Sequence, residues 1–137
     1  MRHKNNNVKF GRSKSHRAAL VSMLVCGLVK QKSIRTTVRK AKVAAPVAEK
    51  LVTLARKGGV PARCRAAAFL GDEGAVKELF DKVVPMMEGR QGGYTRIVKL
   101  AARPGDGAPM AMLSWVDEPV AKKDAPAASE APAETSK

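Results

Sequence analysis

Two hydrophobic rhythms divide this chain. From Ala18 to Val83 apolar residues mostly recur at helical spacing, and from Thr95 to Val116 they alternate as in strands. Ser13 or Ser15 is placed to cap a first helix that runs to about Lys30. Its apolar residues, among them Leu20, Val21, Met23, Leu24, Val25, Leu28 and Val29, lie nearly all round. That pattern predicts a central core helix buried on most sides. Ser33–Thr37, short and β-branched, reads as a strand. Thr36 or Thr37 can then cap a second helix over Val38–Lys57, with Ala41, Ala45, Ala48, Leu51, Val52 and Ala55 at helical spacing. Pro46 predicts a kink or a break inside it. Gly58-Gly59 ends that helix, Pro61–Leu70 forms a short third one stopped by Gly71, and Asp72 caps a fourth over Glu73–Val83 that Pro85 closes. Thr95–Ala102 and Pro109–Val116 read as a hairpin around the turn R-P-G-D-G-A, and the Ile34 strand pairs with it. The expected fold class is α/β in the broad sense (α+β): a small mixed sheet, one short strand plus a C-terminal hairpin, packed with about four helices.

The two ends lack either rhythm. Residues 1–14 hold only Val8 and Phe10 as sizeable apolar groups beside an Asn5-Asn6-Asn7 run, so they read as an extended basic arm tacked down at its end. Residues 15–117 read as one globular domain, and 118–137, rich in Ala, Pro and acids, as a disordered tail.

Charge changes this picture most. Met1 to Ala48 holds twelve Lys or Arg and no acid, so +12 of the net +14 sits at one end and the rest of the chain adds +2. Such a lopsided field calls for a polyanion, and a pI near 10.3 fits a nucleic-acid-binding domain. Self-repulsion at that charge predicts a free protein of marginal stability. A start rich in bases and free of acids also has the look of a transit peptide, but here the basic run continues into segments that read as folded. The longest apolar run, Ala18 to Val29, falls short of the roughly twenty residues that span a membrane.

Catalytic and metal patterns are weak. Asp72-Glu73, Glu78-Asp81 and Asp117-Glu118 read as caps and solvated faces, and no glycine lies in a strand–loop–helix phosphate cradle. Cys26 and Cys64 stand far apart, outside any metal spacing, and read as reduced thiols. His3 and His16 have no ligand cluster around them. No metal or cofactor is expected. Within the basic run, Lys9, Arg12, Lys14 and Arg39 are candidate phosphate contacts, as is Arg63 further on, since neutralising phosphates releases counterions. The basic first turn of the first helix opposes the helix dipole unless an anion lies beside it. Tyr94, beside Gly92-Gly93, either stacks on a base or packs over the sheet edge.

Several segments in order carry a specific likeness. They are M-R-H-K, S-H-R-A-A-L, I-R-T-T-V-R-K-A-K and G-G-Y-T-R-I-V-K-L followed by R-P-G-D-G-A-P-M-A. This series resembles the bacterial large-subunit ribosomal protein seventeen (the L-seventeen family) from Met1 to about Val116. The resemblance implies a single α/β domain on 23S ribosomal RNA, neighbouring large-subunit proteins as partners, a cytoplasmic ribosomal location and no catalytic activity. Neither a membrane nor a small-molecule substrate is expected among its partners. The resemblance places RNA contacts at Arg2, His3 and Lys4, at Ser15, His16 and Arg17, at Arg35, Thr36, Thr37 and Lys40, and at Tyr94, Thr95 and Arg96. The N-N-N run and the acidic tail depart from the family pattern. Two rivals are a DNA-compacting protein, against which no helix-turn-helix or zipper pattern is seen, and a nucleic-acid enzyme, which would need clustered acids or a metal site.

Overall fold

Ser13 opens the first helix but does not cap it with its side chain, which instead meets the Ser15 hydroxyl at 3.4 Å. The computed structural model describes residues 8–116. Arg2, His3 and Lys4, the first half of the expected arm, and the expected tail over 118–137 lie outside the described residues. Helix α1 (Lys14–Gln31) leads to strand β1 (Ser33–Thr37), then α2 (Val38–Arg56), α3 (Gly59–Leu70) and α4 (Glu73–Glu78). A π-helical turn (Leu79–Val83) carries α4 directly into α5 (Val84–Met86), and strands β2 (Thr95–Lys99) and β3 (Met110–Trp115) complete the fold. The class is α+β, as expected.

The hairpin pairs with β1 as anticipated, in the order β1-β3-β2. Both pairings are antiparallel, so the sheet is not mixed in direction. Registers Ile34↔Leu113↔Ile97 and Thr36↔Ala111 line the inner face, against α1 and α2. Side chains alternate across a strand, which turns Arg35, Met112 and Val98, and with them Ser33, Ser114 and Arg96, to the other face. The core lies between: Val25, Leu28, Val52, Leu79, Val83, Met87 and Leu113 are its largest fully buried side chains.

Three expectations need correction. Helix α1 is not buried on most sides: Val21, Val25, Leu28 and Val29 form its buried face, while Met23 is 74% exposed. Its first residues, from Lys14 to Ala19, are exposed apart from the half-buried Arg17. Helix α2 runs unbroken through Pro46. Pro46 sits on the exposed side, so the carbonyl freed by its missing N–H has water to bond, and the buried face of Ala41, Ala44, Ala45 and Ala48 stays packed. Pro85 does not close the fourth helix. The widened turn before it, in which the Val84 N–H bonds the Leu79 carbonyl, makes room where the pyrrolidine ring would otherwise strike the helix wall.

Asp72 does cap α4, accepting from the Ala75 N–H at 3.2 Å, and also accepts from the Lys30 ammonium at the end of α1. Those two hydrogen bonds, that from Lys30 first, hold its carboxyl below the ordinary carboxylate value. Gly71 ends α3 with φ 66°, a left-handed turn that glycine takes without strain.

Candidate nucleic-acid interface

The root of the arm is folded. The Arg12 backbone N–H bonds the Lys9 carbonyl at 3.1 Å, and the Arg12 guanidinium donates to the Phe10 carbonyl (3.3 Å) and to His16 Nε2 (3.4 Å). Arg17 in turn reaches back to the Arg12 carbonyl at 3.5 Å. Lys9, Lys14, Ser15 and His16 stand exposed around this knot. Helix α1 begins there with no side-chain cap and no acid in its first turn, so free N–H groups and cations face the same solvent.

Val8 joins this knot to α2. It shares a cleft of about 410 Å³ with Arg39, Lys42, Val43 and Pro46. The arm root and the start of α2 are thus one basic surface, assembled from segments some thirty residues apart in sequence. Thr37 stands at the N-cap of α2, again without a side-chain cap and without an acid in the first turn. Lys40, one position round the helix from Arg39, is half-buried.

The remaining expected contacts scatter. Arg35 and Arg96 lie on the outer face of the sheet, on its two edge strands, separated by β3. Thr36 is buried on the inner face. Tyr94 is 3% exposed, a packed setting for its ring, at the edge of the cleft that Lys50 and Lys57 line. Its hydroxyl meets Arg56 Nη1 at 2.8 Å, and the same guanidinium also donates to the Arg90 carbonyl. Thr95 is held by Glu49, whose Oε1 accepts from the Thr95 hydroxyl at 2.9 Å and from its N–H at 3.4 Å. Arg63, on α3, lies over the Phe80 ring, 4.9 Å from its centroid. Thr36, Tyr94, Thr95 and Arg63 therefore sit in structural settings of their own.

Exposed cations not among the expected contacts are Lys42 and Lys50 on α2 and Lys57 at its C-cap. They share one face with Arg39, and that spacing becomes legible once the helix is known to continue through Pro46. No group of His, Cys, Asp and Glu side chains suited to a metal occurs among the described residues. Nor is any described helix long and apolar enough to cross a membrane.

Residues 20–116 match the family model for Ribosomal protein L17. The chain is 47% identical over 125 residues to large ribosomal subunit protein bL17 of Azorhizobium caulinodans, covering 91% of this chain and 90% of that one. To the protein of the same description from Akkermansia muciniphila it is 45% identical over 136 residues, covering 97% and 100%. Its counterpart from Geobacter metallireducens is 40% identical over 124 residues, covering 90% of this chain and 70% of that protein. The family match runs from the second turn of α1 to the last described residue, and the relatives align over nearly the full length: the chain belongs to the ribosomal protein L17 family.

Proposed function

We propose that this chain is a structural constituent of the large ribosomal subunit in the cytoplasm, without catalytic activity. It binds 23S ribosomal RNA through its basic N-terminal arm and the folded basic surface beneath it, and packs beside other large-subunit proteins. The observation that carries this reading is the acid-free surface that Val8 builds by seating the arm root against Arg39 and Lys42. A flexible basic segment alone binds polyanions loosely. Mounted on two helix starts, the same charges present phosphate contacts at fixed positions. Arg2, His3 and Lys4 add contacts from the arm; Lys9, Arg12, Lys14, Ser15, His16, Arg17, Thr37, Arg39 and Lys40 make up the folded part of the surface, and Arg35 and Arg96 offer contacts from the sheet. Thr36, Arg63, Tyr94 and Thr95 support the shape that carries them. Contacts to RNA backbone and shape dominate over base reading.

Deleting residues 1–14 tests the reading. The truncated chain keeps its far-ultraviolet dichroism but binds 23S ribosomal RNA more weakly and with a shallower dependence on salt. The log–log slope falls by about one for every phosphate no longer neutralised. Unchanged affinity and slope would remove the arm from the account. Competition by duplex DNA as effective as by ribosomal RNA would favour the DNA-compacting alternative.

A further inference from the structure

We infer that the outward face of α2 is a second RNA-binding track, which takes the phosphate backbone of ribosomal RNA and continues the surface at the arm root. The inference rests on the ribosomal reading above and adds a surface to it. Arg39, Lys42, Pro46, Lys50, Thr53 and Lys57 recur at steps of three, four, four, three and four residues. At 3.6 residues per turn those steps keep all six within one side of the helix, opposite the buried alanines. The rise of 1.5 Å per residue spreads the track over roughly 27 Å from Arg39 to Lys57. Two clefts meet at Pro46. The first holds Val8, and the second, of about 490 Å³, runs past Lys50, Thr53 and Lys57 to the loop at Gly92. At Gly92 even a Cβ would have nothing within 4 Å, so backbone of a partner can approach closely.

A row of helix lysines is ordinarily just a solvated face, but three observations set this one apart. None of the six residues of the track is an acid, and the one acid that lines the second cleft beside them is Glu49. The one carboxylate of α2, Glu49, is turned to Thr95 rather than to a lysine. The ion pairs among the described residues, Lys30–Asp72, Lys82–Glu78 and Arg103–Asp106, all lie elsewhere. Among the described residues no carboxylate pairs with the cations of the track, which start where the arm ends. An external polyanion supplies that counter-charge; a neutral or apolar protein neighbour does not.

The test uses the full chain and transcribed 23S ribosomal RNA. The double variant Lys50→Gln, Lys57→Gln is compared with Lys77→Gln, Lys82→Gln, which removes the same net charge from α4 and the π turn. The track variant should lower the log–log salt slope by about two, one per lysine, and the control should leave it within the error of wild type. Equal effects from both pairs, or none from either, overturn the track while leaving the ribosomal reading intact. Failure of wild type itself to bind the RNA overturns both. A photo-crosslinker placed at Thr53 in assembled large subunits should label RNA; labelling of a neighbouring protein instead overturns the track.

Discussion

Trp115 donates its indole N–H to the Leu28 carbonyl at 3.0 Å and its backbone N–H to the Lys32 carbonyl at 3.2 Å. The last carbonyls of α1 have no partner within the helix, so a strand residue completes them and ties α1 to the sheet. Replacing Trp115 by Phe keeps most of the apolar bulk and removes the buried donor. The expected cost is about 1–3 kcal/mol in denaturant unfolding, the penalty for a buried carbonyl left unbonded; a loss under ~0.5 kcal/mol would show that this bond is dispensable. Neither partner is legible in sequence, because residues 28 and 115 meet only once the sheet is assembled. Tyr94 makes the same point for function. A tyrosine beside two glycines looks equally suited to a base or to a core, and its packed setting depends on Arg56, which a different element brings to its hydroxyl.

At the scale of elements, the periodicity of apolar positions located the main helices and all three strands, while the break that was one of two readings at Pro46 does not occur and Pro85 lies inside a helical turn. The rule that proline breaks helices is local. It gives way at Pro46, where the freed carbonyl faces water, and at Pro85, where a π turn widens the helix. The difference at Pro46 is functional: a helix broken there would turn Arg39 and Lys42 away from Lys50 and Lys57, and the shared face disappears. Asp72 couples two elements, capping α4 and bonding Lys30 of α1. Its carboxyl is held below the ordinary value of 3.8, so its contribution is fully present above that pH and is lost as pH falls through the folded value. Lys30 is raised above 10.5 by the same pair, so its contribution is present below that pH and lost as pH climbs through the folded value. Asn at position 72 still caps a helix but forms no ion pair. Across a pH series of thermal melts, Asp72→Asn should therefore fall below wild type most clearly between those limits, with the gap closing at either end. Because both groups are exposed, the gap should also shrink with added salt. A difference that ignores pH would leave only the cap.

The whole molecule is electrically two-ended. Cations without acids fill the stretch up to Ala48, whereas Asp72 to Glu88 carries five acids (Asp72, Glu73, Glu78, Asp81, Glu88) and two lysines. The fold keeps these regions on different elements, the first on the arm root, α1, β1 and the first half of α2, the second on α4, the π turn and the loop after α5. A polyanion is therefore drawn to the arm root and the start of α2, and its binding offsets the self-repulsion there. Much of this was visible in composition alone, since charge asymmetry survives folding; the position of each charge was not, since Val8 on the arm and Pro46 within α2 decide which cations share a surface. The most direct measurement is sedimentation of the tagged full chain with ribosomal subunits at moderate salt. The account predicts that the chain travels with the large subunit and stays bound through a wash that strips loosely held basic proteins. Recovery at the top of the gradient, or equal release of this chain and of a non-specific polycation at the same salt, would contradict it.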